Sequence, residues 1–509
     1  MKSTINRRDF LKVGTTFSLA LSGLPLALDK LTSQDQQDQR APANVILLLF
    51  DTLSARHMSL YGYRRNTTPN MTAFAEKATV FHRHHSTANF TTPSTASLLT
   101  GLYPWKHRAF HLYGMVTPES LSTHLFKSLP SFYKFAYTQN PLASMLLYQM
   151  QEDIDLITEV RDTAVSGDLY SEQLIPQDAG VALWSELIIR GLENKTGLGS
   201  SLLFPIIDRY EHFSNLKLPS EAKDFPKGLP GNNKSMFFLL DQSVEGVEEQ
   251  LSSLSNPFFA YLHFWPPHEP YSPKKEFIGL FNDGWEPETK PKTPFTENRS
   301  PEYLNREREL YDEYIAYVDS EFGKFTDFLG SSSLMENSYI ILTSDHGQLF
   351  ERGIHGHFTS TLYEPLIHVP LVIKTPNQQS RQDVHSLTSN IDLLPTLLNL
   401  AGEEIPASLD GSVLPSIGSS EAEESGRSIF SFEAKENPKQ GKLEKYTIAL
   451  IRESYKLIYY HGYEGIADHY ELYDLQNDPD ELVDLSATQS DLAGELLNQA
   501  TLQIEERAP

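Results

Sequence analysis

The chain has 509 residues, 42 basic and 67 acidic, and a formal net charge of −25. A field of this sign repels DNA, RNA and anionic lipid surfaces, so we expect no nucleic acid partner. The chain contains no cysteine, which excludes disulfides, thiolate metal sites and a lipidated cysteine. With 39% hydrophobic residues the chain can bury a large core, and we expect one large domain with a smaller appendage.

The N-terminus has the character of an export signal. The sequence NRRDFLKVG places a twin arginine before an apolar run over Val13–Leu28, which is shorter than the roughly 20 apolar residues of a membrane span. We therefore predict a twin-arginine export signal over 1–30, a polar linker over 31–43, and a mature chain without a transmembrane span in the periplasm or outside the cell. An ordinary first helix behind a basic N-terminus is the alternative.

The mature chain alternates buried strands with amphipathic helices. Apolar residues recur every three or four positions from Leu310 to Leu329, as on one face of a helix. Strands that alternate with helices predict an α/β sandwich around a central, mostly parallel sheet. Continuous apolar runs typical of strands buried on both faces are Asn44–Asp51, Phe258–Phe264, Tyr339–Asp345 and Val369–Lys374.

The sequence divides into a main α/β domain and a C-terminal subdomain. We assign residues 44–420 to the main domain, interrupted at about 150–250 by a partly helical insertion whose apolar segments LWSELII and SSLLFPII are either core or a lipid-facing rim. From about 425 to 509 short tyrosine-rich strands and a final helix from about Asp491 predict a small antiparallel sheet subdomain.

Acidic residues end two of the predicted buried strands. Asp51 and Asp345 both lie at such an end, and His346 follows directly. Ligands in open α/β sheets bind beyond the carboxyl ends of the strands. Two carboxylates, an imidazole and a hydroxyl would form a divalent metal site, whereas each acid taken alone could simply cap a turn.

The segment NFTTPSTASLLTG supplies a candidate hydroxyl. Pro93 suits the first helical position, which predicts Thr92 as the N-cap and Gly101 as the end of the helix. Thr91 would then lie just before a helix N-terminus, where anions are favoured. A hydroxyl beside a divalent cation at that place is suited to attack phosphorus or sulfur.

Seven segments, in order, resemble the sulfatase family of the alkaline phosphatase superfamily. The resemblance runs from about 44 to 485 and is weakest in the insertion. It implies an alkaline-phosphatase-like α/β sandwich, one divalent metal and a smaller C-terminal sheet domain, so that residues 44–420 become a sulfatase-like catalytic domain. The segments are DTLSARHMSLYGYRRNTTPNM, TTPSTASLLTGLYP, YLHFWPPHEPY, TSDHGQ, GIHGHFTSTLYEPLIHVPLVI, IDLLPTLLNLAG and YELYDLQNDPDELVDLS.

The resemblance assigns roles to the strand-end residues. Asp51, Asp345 and His346 fall on metal ligands, and Thr91 falls on the nucleophile, which also contacts the metal. In sulfatases that nucleophile is a cysteine or serine oxidised to formylglycine within a C/S-x-P-x-R pattern. Oxidation of a threonine could give only a ketone, and Thr95 replaces the supporting arginine, so both departures argue against the usual sulfatase cycle.

Other departures from the family concern the metal. Thr52 replaces the second of the paired acids after the first strand, and His346 replaces the asparagine that follows the later acid in many calcium sulfatases. Fewer carboxylates and one imidazole favour Mn²⁺ or Zn²⁺, with Ca²⁺ and Mg²⁺ still open.

The remaining histidines receive roles from the same resemblance. His268 matches a histidine that contacts the ester's oxygens. His355 and His357 fall where the family has a basic residue near the leaving group, and we prefer His357 as the group that protonates the departing alkoxide. We expect His263, inside a buried strand, to be a core residue.

Two further residues are candidates for substrate binding. Asn140 occupies the place of a basic pair that many sulfatases have after the nucleophile helix. His107 follows that helix and could support the site, with a solvated turn as the alternative.

Three functions are compatible with these residues. The first is hydrolysis or transfer of a phosphate diester or phosphonate ester through Thr91 as covalent nucleophile. The second is a sulfuric ester hydrolase that works without formylglycine. The third is an inactive relative that binds an anion. The expected partner is an anionic ester, which could be a glycan, a lipid headgroup or a small molecule.

Overall fold

The computed structural model describes residues 43–158, 220–231, 238–417, 426–438, 441 and 443–507, which all belong to one compact unit. The predicted export signal, the predicted linker up to residue 42 and the segments LWSELII and SSLLFPII lie outside the described residues. Within the described residues, we find no helix with the length and apolar character of a membrane span.

The described residues contain sixteen strands. In chain order they are β1 (Asn44–Phe50), β2 (Thr79–Phe81), β3 (His84–His85), β4 (Tyr133–Thr138), β5 (Leu156–Thr158), β6 (Phe258–Phe264), β7 (Ser338–Thr343), β8 (Leu349–Glu351), β9 (Ile354–Gly356), β10 (Leu371–Lys374), β11 (Gln382–Val384), β12 (Thr388–Ser389), β13 (Ser428–Glu433), β14 (Tyr446–Arg452), β15 (Tyr455–His461) and β16 (His469–Asp474).

Ten α-helices connect or flank them in the described part of the chain. They are α1 (Pro69–Ala75), α2 (Thr91–Thr100), α3 (Pro104–His107), α4 (Pro141–Gln149), α5 (Leu240–Ser253), α6 (Pro301–Ser331), α7 (Leu334–Asn337), α8 (Glu364–Ile367), α9 (Leu393–Ala401) and α10 (Ser490–Arg507). The predicted helical spacing falls within α6. That helix starts at the N-cap Ser300, whose hydroxyl accepts the N–H of Tyr303, with proline at its first position.

The central sheet has eight strands in the order β11-β2-β10-β7-β1-β6-β4-β5. All are parallel except β10, which runs antiparallel to both of its neighbours. The predicted α/β sandwich with a mostly parallel central sheet is therefore confirmed, and β10, within the run Val369–Lys374, is the antiparallel strand of this sheet. A continuous apolar run indicates a strand that is buried on both faces, and an internal antiparallel strand is buried in the same way.

The sheet separates two hydrophobic cores. Even-numbered residues of β1 share a core with α6, and odd-numbered residues share a second core with α2 and α9. This alternation follows from the two-residue period of a strand. It matters for the site because it fixes which face of the sheet each strand-end residue points to.

The C-terminal strands form the predicted antiparallel sheet, in the order β13-β14-β15-β16. The helix α10 packs on one face, and the other face packs against residues of α8. Buried Lys456 of β15 ties this sheet to the central domain, because its Nζ lies 3.0 Å from Oε1 of Glu364 in α8.

Candidate active site

Four adjacent strands of the central sheet end in register. Leu49 of β1 lies beside His263 of β6 and Thr343 of β7, and His263 in turn lies beside Thr138 of β4. A single row of residues therefore crosses β7, β1, β6 and β4 close to their carboxyl ends. This is the edge where open α/β sheets bind ligands.

Three polar residues follow this row at the same distance. Asp51, Asp345 and Asn140 each come two residues after the row that contains His263. Residues two apart along an extended strand share a face, and this parity is the one that faces α2. The sheet therefore brings these side chains together.

Asp51, His263 and Asp345 surround a single point. One ligand atom from each lies within 4.8 Å of the others, and all three side chains are buried. Nε2 of His263 lies 3.9 Å from Oδ2 of Asp51 and 3.8 Å from Oδ2 of Asp345. Among the residues that the structure describes, this is the one such cluster of potential metal ligands.

The three side chains are oriented by their remaining atoms. Oδ2 of Asp51 accepts Nδ2 of Asn140 at 2.5 Å, and Oδ1 of Asp345 accepts two backbone N–H groups. Nδ1 of His263 lies 3.0 Å from the hydroxyl of Tyr261. Oδ1 of Asp51, Oδ2 of Asp345 and Nε2 of His263 remain buried without a hydrogen-bond partner. Metal ligands are held by other partners in this way, so these residues fit a divalent ion.

His263 is the residue that the sequence analysis missed. We expected a core histidine, because it lies inside the apolar run FFAYLHF. The period of the strand was the available signal, since Phe259, Tyr261 and His263 alternate onto the face of the second core. The expectation is corrected: the ring is buried, but its Nε2 faces two carboxylates.

The electrostatics of the cluster favour a cation. Burial raises the pKa of Asp51 well above its usual range, and the neighbouring charge of Asp345 raises it further. Burial also lowers the pKa of His263 to about 4, which leaves a neutral imidazole at neutral pH. A divalent ion would relieve the repulsion between the two carboxylates and find an imidazole that needs no deprotonation.

His346 lies beside both the cluster and Thr91. Its Nε2 is 3.7 Å from Oδ1 of Asp51, 3.6 Å from Oδ2 of Asp345 and 3.3 Å from Oγ1 of Thr91. Its Nδ1 lies 3.0 Å from the carbonyl oxygen of Gly347, which holds the ring in place. The predicted metal ligands Asp51, Thr91, Asp345 and His346 are thus brought together.

Thr91 is the first residue of α2, and the N-cap is Phe90. The prediction of Thr92 as the cap is therefore wrong, and Oγ1 of Thr92 is buried without a partner. Proline is tolerated throughout the first turn, where N–H groups lack helical partners, so the TTP pattern does not fix the start. Phe90 provides no side-chain cap, so the N–H groups at the positive end of the helix dipole, next to Thr91, receive no hydrogen bond from the cap residue.

Asn140 links Thr91 to the candidate metal ligand Asp51. Its Nδ2 donates to Oγ1 of Thr91 over 3.2 Å as well as to Asp51. Its Oδ1 caps α4 by accepting the N–H groups of Leu142 and Ala143. The cap fixes the orientation of the amide, so that the donor group faces the nucleophile.

Thr52 occupies a strained position between the two acids. Its φ of 63° lies in the left-handed region, which β-branched residues rarely adopt. Its N–H donates to Oδ1 of Asp345, and its carbonyl accepts the hydroxyl of Tyr311 at 2.5 Å. These bonds hold the turn after β1 in the conformation that presents Asp51.

His357 lies beside His346, and His268 lies beside His357. The ring centroid of His357 is 4.6 Å from that of His346 and 4.9 Å from that of His268. Nδ1 of His357 lies 2.8 Å from Oε1 of Gln348, so this nitrogen carries the proton and Nε2, buried without a partner, carries the lone pair. Burial lowers the pKa of His357 well below its usual range.

The ring of His268 is half-buried and fixed by two contacts. Its Nδ1 lies 2.6 Å from the carbonyl oxygen of Glu269, and its ring centroid lies 4.1 Å from that of Trp265. Burial lowers its pKa to about 4, so the ring is neutral at neutral pH.

The other two predicted histidines lie behind the site. Nε2 of His355 is 3.3 Å from the hydroxyl of Tyr271, and this hydroxyl accepts a hydrogen bond from Gln348. Because Gln348 also contacts Nδ1 of His357, His355 is connected to His357 through these two residues. The substrate contact predicted for His107 is corrected. Its Nε2 lies 2.9 Å from Oγ of Ser97 and its Nδ1 accepts a backbone N–H, which leaves no nitrogen for a substrate.

Known proteins with similar sequences and folds supply independent findings. The Sulfatase family profile matches residues 43–403, and the profile of the C-terminal part of N-sulphoglucosamine sulphohydrolase matches residues 353–506. The chain is 23% identical over 391 residues to an ulvan-active sulfatase of Formosa agariphila, covering 75% of this chain and 66% of that protein. It therefore spans slightly less than two thirds of that relative.

Two further proteins match over most of the chain. An N-acetylglucosamine-6-O-sulfatase of Bacteroides thetaiotaomicron is 23% identical over 505 residues, covering 90% of this chain and 86% of that protein. The crystal structure of a phosphonate monoester hydrolase of Agrobacterium radiobacter superposes with a TM-score of 0.65 at 17% identity, covering 92% of this chain and 96% of the other.

Proposed function

Because this chain belongs to the sulfatase family, we propose that it is a metal-dependent hydrolase or transferase that attacks a phosphate diester or phosphonate ester with Thr91. The observation that carries the proposal is the position of the Thr91 hydroxyl, whose Oγ1 lies 3.2 Å from Nδ2 of Asn140 and 3.3 Å from Nε2 of His346. A threonine cannot become formylglycine, whereas a hydroxyl can form an ester with phosphorus directly.

Asp51, Asp345, His263 and His346 are the residues that would hold the metal, with Thr91 beside them. A divalent ion at this place would stabilise the negative oxygens of the nucleophile and the ester as a Lewis acid. Two carboxylates with two imidazoles favour Mn²⁺ or Zn²⁺ over Ca²⁺, which prefers oxygen ligands alone.

The chain's own residues then account for the two halves of the reaction. A bond forms from Oγ1 of Thr91 to phosphorus as the bond from phosphorus to the alcohol oxygen breaks, and the alcohol leaves with the proton that Thr91 loses. Water or a second alcohol then attacks the phosphorus of the threonine ester, the bond from phosphorus to Oγ1 breaks, and the proton of the attacking group passes to Oγ1. Nε2 of His357 holds a buried lone pair and can carry this proton.

The ester's remaining oxygens meet the uncapped end of α2. The N–H groups of the first turn lie at the positive end of the helix dipole, where phosphate oxygens bind well. Asn140 supplies a further N–H to Oγ1, and His268 lies on the His357 side of the site as a contact for the ester.

Sulfate ester hydrolysis without formylglycine is the second candidate, and family membership supports it. Turnover by the purified, metal-loaded protein distinguishes the two, measured on an aryl phosphodiester, an aryl phosphonate monoester and an aryl sulfate. We expect the phosphorus esters to be cleaved and Thr91→Ala to abolish that cleavage. The adjacent Thr92→Ala, at another buried threonine of α2, is the matched control. Sulfate turnover that is indifferent to Thr91→Ala would sink the proposal.

We also propose export by the twin-arginine route, on the order of residues in NRRDFLKVG. Replacement of Arg7 and Arg8 by lysine should retain the protein in the cytoplasm. Fractionation of expressing cells measures the exported fraction. An exported fraction in the double variant equal to that of the native chain would contradict the assignment.

A further inference from the structure

An exposed aromatic side chain lies directly beside the active-site histidines. Phe358 leaves 52% of its surface exposed, although it follows the buried His357 in sequence. Its ring centroid is 5.2 Å from that of His357 and 4.8 Å from that of Phe90, the residue before Thr91. Phe90 itself is buried, with its ring 5.9 Å from that of His357. Phe358 is thus the most exposed of three neighbouring rings, the other two being His357 and Phe90, the residue before the proposed nucleophile.

Polar groups border the exposed ring. Nζ of Lys435 lies 5.9 Å from the ring centroid of Phe358 and donates to the carbonyl oxygen of Thr359 over 3.3 Å. The same Nζ forms an ion pair with Oε1 of Glu433 at 2.8 Å, so the lysine is held rather than free to swing. Since Lys435 follows β13, the C-terminal sheet contributes to the rim of the site. The ring centroid of His111 lies 6.3 Å from that of Phe358.

An aromatic face with hydrogen-bond donors at its edge suits a ring that has one apolar face and polar substituents. A half-exposed phenyl ring also leaves apolar area in water, which a bound ring would remove. His357 connects this face to the chemistry, because its ring is 4.6 Å from that of His346, whose Nε2 is 3.3 Å from Oγ1 of Thr91.

We propose that Phe358 is a specificity-determining residue that receives the ring of the ester's alcohol part, with Lys435 contacting that ring's polar substituents. The inference rests on the proposed function, since it places the alcohol on the His357 side of a bond attacked by Thr91. It extends that function by naming the group that the site selects, which is a six-membered ring, aryl or sugar, in preference to a linear chain.

Kinetics with two matched esters test this role. One phosphonate ester carries an aryl group and the other a fluorinated linear alkyl group of equal leaving ability. In Phe358→Ala we expect kcat/KM to fall about 10-fold for the aryl ester, mainly through KM, and to change less than about 2-fold for the alkyl ester. Phe358→Tyr should keep both rates, and Val483→Ala, at a side chain that is 58% exposed elsewhere, is the matched control.

A binding measurement separates this inference from the proposed function. In a Thr91→Ala background, which needs no turnover, phenyl phosphate should bind about 10-fold more tightly than ethyl phosphate, and Phe358→Ala should remove the difference. Equal losses for both esters, or equal affinities for both phosphates, would overturn the role of Phe358 while leaving Thr91 catalysis intact. A protein that cleaves neither ester contradicts the proposed function and this inference together. An aryl preference not shared by a glucosyl ester would identify the alcohol as aromatic.

Discussion

Nε2 of His263 lies 3.8 Å from Oδ2 of Asp345, and neither atom has a hydrogen-bond partner. The family resemblance places a second acid after Asp51, where this chain has Thr52. Compared with the family pattern, this site therefore has one carboxylate fewer after β1, and the imidazole of His263 from β6 lies beside the two carboxylates that remain. Two acids and two imidazoles carry less negative charge than the carboxylate-rich site of a calcium sulfatase, and this exchange underlies the metal preference proposed above.

Removal of the imidazole should weaken metal binding. We expect His263→Ala to lower the affinity for Mn²⁺ or Zn²⁺ at least about 10-fold, because an inward-facing ligand is lost and two carboxylates remain close together. Calorimetric titration of the metal-free protein measures this. Tyr261→Phe, which removes only the partner of Nδ1, should have a smaller effect. An unchanged affinity in His263→Ala would show that the ring is structural.

Restoration of the missing acid should shift the metal preference. Thr52→Asp adds an oxygen ligand beside Asp51, so we expect the affinity for Ca²⁺ to rise relative to that for Zn²⁺. The φ of 63° at this position also suits aspartate better than a β-branched residue, so the variant should fold. Paired titrations with the two metals measure the ratio, and a ratio equal to that of the native chain would argue against a direct ligand at position 52.

Asn140 combines a helix cap with a contact to the nucleophile, and a substitution can separate the two. Asn140→Ser retains a capping oxygen but is too short to reach Thr91, so kcat should fall roughly 10-fold or more while the thermal midpoint changes little. Asn140→Ala removes both functions and should also cost about 1 kcal/mol of stability. Wild-type kcat in Asn140→Ser would mean that the amide does not orient Thr91.

Asp319 on α6 should make stability depend on pH. Its carboxylate accepts the backbone N–H groups of Asn70 and Met71, yet burial raises its pKa from 3.8 to about 6. The folded state binds the proton of Asp319 more tightly than the unfolded state does. The resulting contribution to the free energy of unfolding is therefore fully present below about pH 4 and is lost as pH rises through about 6. The pKa shift corresponds to a change of about 3 kcal/mol in the free energy of unfolding.

Urea unfolding between pH 4 and pH 7 measures this effect, with Asp319→Asn as the comparison. The asparagine cannot ionise, so the difference in unfolding free energy between the two proteins should change by up to about 3 kcal/mol across the interval, in favour of Asp319→Asn at the higher pH. A difference that stays constant with pH would assign the titration to other groups.

Much of the fold followed from local patterns. The runs that became β1, β6 and β7 were bounded correctly to within two residues, because strands buried on both faces must be apolar throughout. The direction of β10 could not be predicted in this way, since burial is the same for parallel and antiparallel neighbours. The start of α2 was displaced by two residues, from Pro93 to Thr91, because proline fits several positions in a first turn.

The site was predictable where chemistry coincides with strand ends. Asp51 and Asp345 stood out as charges after apolar runs, and His346 followed from its position. His263 did not stand out, because a histidine inside a strand becomes a ligand only when the register of neighbouring strands places it opposite the acids. The contact of Asn140 with Thr91 likewise depends on the adjacency of β4 and β6, which one sequence does not reveal.

A covalent ester on Thr91 is the most direct test of the account. The metal-loaded protein is mixed with an aryl phosphodiester, quenched in acid during turnover and digested, and the peptide that contains Thr91 is weighed by mass spectrometry. The account predicts a phosphoryl ester on that peptide, absent from Thr91→Ala, which should also be inactive. Full turnover by Thr91→Ala, with no added mass on the native peptide, would contradict it.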